Sequence, residues 1–555
     1  MTDSGSELVF APLGGVGEIG MNLGLYGIGP ADDRTWLVVD FGISFGDPSL
    51  PGVDLVLPDI RYLEAERNRI AGIVITHAHE DHFGALPYIW DRLRAPIYAT
   101  PFTAGLLAAK LTGYHEEKIP VRQIVPGERY DIGPFNVEPI PVSHSIPEPN
   151  ALAIRTEFGL TLHTGDWKID PTPGIGLPLQ EDAFRALGRE GVKTLVCDST
   201  NAIRDGISPS EKDVGENLRK IIQKAKHRVA VTTFASNVAR IKAVAEAAAA
   251  NGRDVVLIGR AMRRMVDVAT ELGYMEGLPP FLDQDAYGYI PREKVVALCT
   301  GSQGESRAAM ARIARQEHPD VTLNAGDLAI FSSRAIPGNE KSVGDILNAL
   351  ALQKIDIITD KDDLVHVTGH PRRDELKQMY EWTQPDTLIP VHGEPYHLRE
   401  HAKFGRACGI KRVVSVLNGD MVRLQPGKPE VIDDVPSGRW VKDGHIIADP
   451  ELCGIRERRK LAFAGSITVA VTLNKQGEVA ADALFDLKGL PEMDNGGKPM
   501  VEIVDKAIYG VLDSLPKTKK RDTGLVREAI RRSVRSAVLQ VWGKKTHCTV
   551  LVSVV

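Results

Sequence analysis

The sequence predicts a multidomain α/β protein, and three observations predict it. Its 555 residues exceed one ordinary domain of roughly 100–200 residues. A central stretch, 209–354, alternates strand and helix signals in the manner of a parallel sheet whose loops gather at the strand C-termini. Hydrophobic residues at 43% and charged residues at 25% leave apolar material for more than one core.

Leu8–Leu13, Met21–Tyr26 and Thr35–Asp40 read as strands joined by Gly- and Pro-containing turns. Ile70–Thr76 reads as a buried strand running into a histidine-rich loop, and Phe83–Arg94 as a helix. Val137–Val142, Leu160–His163 and Thr194–Asp198 are further strands ending in polar residues. In the central stretch the strands are Arg228–Thr233, Asp254–Ile258, Val295–Thr300 and Asp327–Ser332, with helices starting near Ser236 and after Gly259. Leu364–Thr368 and Thr387–Val391 follow, each before a helical stretch. Residues 435–460 are charged and Gly/Pro-containing, with the basic run Arg456–Lys460, and read as a linker. The final block combines strands near Ser466–Leu473 and Thr549–Val555 with amphipathic helices near Met500–Leu515 and Thr523–Val541. The expected domains are 1–208 with its return at 355–434, an insertion at 209–354, the linker, and a small α+β domain at 461–555.

Composition limits the function classes. The five cysteines are widely spaced and never CxxC, which predicts reduced thiols, a cytoplasmic setting and no zinc-thiolate site. No cationic start precedes an apolar stretch, and no run of about 18 apolar residues exists, so neither a secretory signal nor a membrane span is expected. The net charge of -6 gives no bulk attraction to nucleic acid, so any such attraction must be local.

Gly15-Val-Gly-Glu-Ile-Gly20 matches GxGxxG, and Asp40 follows at the spacing of a dinucleotide fingerprint. That fingerprint needs a helix after the glycines, and here a strand-like stretch follows. Two readings stay open: a tight turn between strands, or a backbone-lined wall beside an active site.

The strongest signal is Thr76-His-Ala-His-Glu-Asp-His82, an HxHxDH pattern expected by chance in about one chain per thousand of this length. Imidazole and carboxylate are ligands that zinc prefers. In extended chain His77 and His79 point the same way, and a following turn brings Asp81 and His82 round to a second ion. Two ions also need a shared carboxylate. His144, Asp166 and His392 are the remaining candidates, each just beyond a predicted strand.

This set, HxHxDH, a lone His, TGD and a distant His, resembles the metallo-β-lactamase superfamily. The resemblance implies a four-layer αββα fold with two metal ions, zinc or manganese. One would take His77, His79 and His144, the other Asp81, His82 and His392, with Asp166 bridging. Asp40 would orient a ligand from behind. More than 200 residues separate Asp166 from His392, which resembles the β-CASP branch, whose inserted parallel α/β domain forms a lid. Asp198, His370 and His392 fit that branch's motifs A, B and C. The stretches Gly14-Gly-Val-Gly-Glu-Ile-Gly-Met-Asn22, Asp40-Phe-Gly42 and Phe331–Glu340, with a C-terminal domain, are similar to the bacterial ribonuclease J family. Thr368 stands where that family usually has Ser; both carry a hydroxyl.

The resemblance implies hydrolysis of RNA phosphodiester bonds, 5′→3′ and internally, leaving 5′ phosphate and 3′ hydroxyl. Asp81 and Asp166 would orient the nucleophile, His370 would protonate the leaving oxygen and Asp198 would fix a histidine. Phe234-Ala-Ser-Asn237, Gly301-Ser-Gln-Gly304 and Ser332-Ser-Arg334 suit phosphate contacts at strand ends. His366-Val-Thr-Gly-His370 would hold phosphate, with Thr368 and Ser333 receiving a 5′-monophosphate. Arg260, Arg263, Arg264, Arg372 and Arg373 are candidates for an entry channel. A homodimer or homotetramer through the C-terminal domain is expected, with an RNA helicase or degradosome-like complex as a further partner and no membrane. The rival readings are a zinc-dependent lactonase or thioesterase, which leaves the lid unexplained, and a non-catalytic RNA-binding scaffold, which would not need the full ligand set.

Overall fold

The computed structural model describes residues 5–111, 119–336 and 338–555; Pro337, inside the Phe331–Glu340 stretch, lies outside them. The chain divides into two compact units, one of residues 1–44 and 57–439, the other of 45–56 and 440–555.

The first unit contains two large sheets and a smaller one. An eight-stranded sheet has Glu7–Gly14, Leu23–Gly29, Thr35–Val39, Ile70–Val74 and Ile97–Ala99 as consecutive neighbours. A seven-stranded sheet runs from Arg412–Val413 through Thr387–Val391, Val192–Asp198, Gly159–His163 and Asn150–Thr156 to Phe135–Pro141 and Tyr130–Ile132. One core fills the space between them, with Phe10, Tyr26, Leu37 and Val74 from the first sheet against Leu152, Val196 and Ile389 from the second. Helices cover the far side of the second sheet, where Phe184, Leu376 and Trp382 pack on Leu162, Leu195 and Trp167. This is the αββα arrangement expected.

The inserted domain carries a five-stranded, fully parallel sheet in the order Asp254–Ile258, Val295–Cys299, Val229–Thr232, Leu328–Phe331, Asp356–Ile358. Asn237 caps its second helix, Val238–Ala250, which follows Glu211–Lys224, accepting from the Arg240 amide at 2.9 Å. Arg240 is fully buried on that helix. Its guanidinium pairs with Glu211 at 2.7 Å and donates to the Val365 carbonyl at 2.8 Å and to Ser332 Oγ.

Two elements depart from the sequence reading. Leu364–Thr368 is not a strand. Its carbonyls are taken by side chains instead: Ser332 and Arg240 hold Val365, and Asn217 holds Leu364. Phe83–Arg94 is broken in two, Glu80–Phe83 and Leu86–Leu93, around Gly84 and Ala85.

The segment 435–460, expected as a linker, is structured: it carries an antiparallel pair, Arg439–Asp443 and Ile446–Ala448, and, in the second unit, a helix at Ile455–Ala464. Ser466–Leu473 is the central strand of a three-stranded sheet. Val479–Lys488, which sequence reading misses, pairs antiparallel with it, and His547–Val554 pairs parallel. Helices Met500–Ser514 and Thr523–Trp542 cover one face through Ile503, Ile508, Ile530 and Val534. No helix of the described residues is long and apolar enough to cross a membrane.

His401 is fully buried between Ser199 Oγ at 2.8 Å and the Tyr380 hydroxyl at 2.5 Å, and burial holds its pKa at about 4. The unfolded chain, with an ordinary imidazole at 6.5, therefore binds the extra proton first as pH falls. Stability is complete above about pH 6.5 and falls toward pH 4, at about 1.4 kcal/mol per pH unit from this residue. Denaturant titrations between pH 7 and 4 are expected to show a shallower pH slope in His401→Gln than in the parent; equal slopes would remove His401 from the acid response.

Candidate metal centre

Parallel pairing brings the site together. Gly159–His163, Val192–Asp198 and Thr387–Val391 are parallel neighbours, so Asp166, Asp198 and His392 emerge side by side at their C-terminal ends. Thr35–Val39 and Ile70–Val74 are likewise parallel, which sets Asp40 beside the HxHxDH segment. His79 is extended, at φ -77° and ψ 147°, and the single helical turn Glu80–Phe83 then swings Asp81 and His82 round.

Two of the side-chain groups that could hold a metal ion match the predicted sets. His77 Nε2 lies 3.1 Å from His79 Nδ1, and His144 Nε2 lies 3.0 Å from the same atom. In the second group His392 Nε2 is 3.5 Å and His82 Nε2 3.7 Å from Asp81 Oδ2. Asp166 Oδ2 is shared, at 3.2 Å from His82, 3.6 Å from His144 and 3.7 Å from His77. Each group, with Asp166, converges within 4.8 Å.

These residues fit metal ions. Three imidazole nitrogens close to 3 Å apart cannot all be satisfied by protons, and tetrahedral zinc places its nitrogen ligands about 3.3 Å apart. His392 Nε2 is buried without a hydrogen-bond partner and faces Asp81. The opposite ring nitrogens are held as metal-binding histidines require. His82 Nδ1 meets Asp40 at 2.7 Å, His144 Nδ1 meets the Gly369 carbonyl at 2.6 Å, and His77 Nδ1 meets Thr76 Oγ1 at 3.0 Å.

Electrostatics agree with this division. Burial pushes His77 and His144 well below the ordinary imidazole range and His79 to about 4, so all three present lone pairs. Burial also works against charge on His82 and His392, but Asp166 overrides it, raising both, His392 to about 10. Those protons occupy a place that a cation fills in a loaded site. Burial opposes the charge of Asp81 and Asp166 too, yet the adjacent His82 and His392 hold both carboxyls below their usual range.

Asp198 and His370 form a pair beside the ligands, Nδ1 to Oδ2 at 2.7 Å. Burial lowers the pKa of His370, but Asp198 and Asp166 raise it more, so the protonated ring is favoured over that of a free imidazole. Asp40 meets Thr76 and the Nδ1 side of His82, and its backbone is bent into the left-handed region at φ 64°.

The candidate RNA contacts are placed unequally. Thr368 Oγ1 accepts from Asn201 at 2.7 Å next to His370, and Val367 is buried. His366, its Nδ1 buried and unpaired, is held neutral by burial and by the nearby Arg240 and Arg334. Ser333 Oγ donates to the Ser302 carbonyl at 3.4 Å. Of Phe234-Ala235-Ser236-Asn237, Asn237 is buried and committed to its helix cap. Arg263 and Arg373 are engaged by Asp283 and Asp205, while Arg260 and Arg264 are exposed.

The glycine motif is a wall of the site. Gly17 donates to the Gly393 carbonyl at 3.0 Å, next to His392, and the next element is a strand. Gly15, at φ 81°, has no room for a side chain: a Cβ would lie 2.2 Å from Asn22 Oδ1. Asn22 itself, missed by sequence reading, places Nδ2 3.0 Å from His82 Nε2. Only its position after the glycine turn points to it.

Family models cover most of the chain. The metallo-beta-lactamase superfamily matches residues 26–183, the ribonuclease J beta-CASP domain 226–350, the Zn-dependent metallo-hydrolase RNA specificity domain 354–414, and the ribonuclease J C-terminal domain 453–555. A ribonuclease J of Sinorhizobium meliloti is 55% identical over 548 residues, 99% of this chain and 97% of its own. The chain belongs to the ribonuclease J family. A second family member, from Mycolicibacterium smegmatis, is 36% identical over 94% of this chain and 93% of its own, and one from Helicobacter pylori strain 26695 is 32% identical over 98% and 79%. A crystal structure of an Enterococcus faecalis protein of unknown function shares the fold, with a TM-score of 0.53 at 17% identity over 75% of this chain and all of that one. The family's architecture, a metallo-β-lactamase domain with an inserted β-CASP domain and a C-terminal domain, is therefore that of this chain.

Proposed function

We propose that the chain is a metal-dependent ribonuclease that cuts RNA both 5′→3′ and internally, leaving 5′ phosphate and 3′ hydroxyl. The observation that carries this is the pair of ligand groups meeting at Asp166 Oδ2. His77, His79 and His144 would hold one divalent cation and Asp81, His82 and His392 another, zinc or manganese, with Asp166 between. When bound, such ions supply Lewis acidity and a lowered water pKa at the scissile phosphate.

The remaining steps belong to side chains. Asp81 and Asp166 accept hydrogen bonds from the attacking water and fix its line of approach. His370, whose protonated form Asp198 favours, lies next to the candidate ligands and donates its proton to the departing 3′ oxygen. Ser333, His366 and Thr368 receive the 5′-monophosphate, and the loops at 234–237 and 301–304 follow the strand. In the cell the protein acts in the cytoplasm on ribosomal and messenger RNA, as a homodimer or homotetramer, alone or with an RNA helicase.

The test is digestion of one RNA labelled at a single end, bearing 5′ triphosphate, monophosphate or hydroxyl. Mononucleotides released only from the monophosphate form are the expected result. Equal release from all three would remove the 5′-phosphate contacts, and no cleavage with either metal would remove the activity.

A further inference from the structure

The basic run Arg456–Lys460 plays no part in the proposed cleavage. It lies on the helix Ile455–Ala464, whose Ile455 is buried and whose Arg458 turns inward to Asp443 and the Pro51 carbonyl. The other cations face away. Arg456, Arg459, Lys460 and Phe463 stand at i, i+3, i+4 and i+7, one stripe of the helix about 10 Å long, and all four are exposed. Among the described residues, none of these three cations has a carboxylate partner.

Phe463 ends the stripe and is 66% exposed. It is not loose. Lys544 donates to the Phe463 carbonyl at 2.9 Å and sets its ammonium 4.5 Å from the Phe463 ring centre and 5.0 Å from that of Trp542. One cation thus bridges two aromatic rings, and exposed Lys545 adds a further charge beside them. An aromatic ring fixed at the end of a row of unpaired cations offers both a stacking platform and a phosphate track. Single-stranded nucleic acid is the polymer that uses both at once. An acidic peptide would engage the charges and leave the ring idle. The net charge of -6 makes the patch a local exception, the kind of attraction an acidic protein needs to hold RNA.

We propose that Arg456, Arg459, Lys460, Phe463 and Lys544 form a binding surface for single-stranded RNA, sharing no residue with the metal centre, that grips backbone phosphates and stacks a base on Phe463.

The test uses the full chain and a cleavage-resistant 2′-O-methyl oligonucleotide, so the readout does not depend on cleavage chemistry. Fluorescence anisotropy across a salt series gives affinity and its salt slope. In R456Q/R459Q/K460Q the log–log slope is expected to flatten by about two, since each phosphate neutralised on a single strand carries a slope of about 0.7. Phe463→Leu is expected to bind about tenfold more weakly and Phe463→Trp to retain affinity, which separates stacking from mere apolar packing. RNA carrying 4-thiouridine should crosslink to the peptide containing Phe463. Unchanged slope and affinity in the charge and Leu variants would overturn the proposal. So would a duplex that binds as tightly as the single strand, or an acidic peptide that binds the patch while RNA does not.

Discussion

Replacing Asp166 by Asn is expected to abolish RNA cleavage, by about 10⁴-fold or more, while RNA binding stays within a few fold. Asp166 Oδ2 lies within 4 Å of ring nitrogens from both candidate ligand groups. A neutral amide there weakens both ions together, and groups that act as a unit fail as a unit. Asp81→Ala should do nearly as much, since it removes the carboxylate facing the unpaired nitrogen of His392. Asp40→Asn is the contrast. It disturbs the hydrogen bonds to Thr76 and behind His82 while leaving the candidate ligand atoms in place, so a loss of about 10–100-fold in metal affinity is expected, with activity returning at excess zinc or manganese. Single-turnover assays with metal titrations, alongside binding of uncleavable RNA, distinguish these outcomes. Substantial cleavage by the Asp166 variant would remove the shared carboxylate from the mechanism.

The second large effect is expected at Arg240. Its guanidinium is fully buried against Glu211 and also holds Ser332 and the Val365 carbonyl. Removing one partner of a buried pair strands the other charge, at a cost of about 3–5 kcal/mol. Arg240→Met should therefore lower the unfolding free energy by that amount, and R240M/E211L should recover most of it, since neither charge then remains. The same change frees the chain just ahead of His366–His370, so turnover should fall in Arg240→Met even at temperatures where it stays folded. A loss under about 1 kcal/mol in the single variant would mean that Glu211 finds water or another donor.

How much of this can be read from the sequence depends on how local each signal is. The HxHxDH segment is legible because four candidate ligands fall within six residues, and the distant candidates because each follows a strand by one to three residues. Asn22 and the Gly369 carbonyl are not, since their roles exist only after closure. Gly369 comes so near that a Cβ there would sit 2.5 Å from the His144 ring, a constraint invisible along the chain. Leu364–Thr368 has the apolar pattern of a strand, yet its carbonyls bond side chains, and no ladder forms. Val479–Lys488 escapes notice because it is an edge strand in which apolar Leu484 stands on the exposed face beside Asp482 and Asp486, and Val479-Ala-Ala481 are all exposed, which blurs the alternation. Gly, Pro and charge in 435–460 suggest a linker, but the glycines and prolines there serve turns between short paired elements.

Asp166 and His392, which meet at 2.6 Å, are 226 positions apart. Translation at about 5–20 residues per second puts roughly 10–45 s between their appearances. A nascent chain would therefore hold the proposed metal centre incomplete until the whole inserted domain has been made.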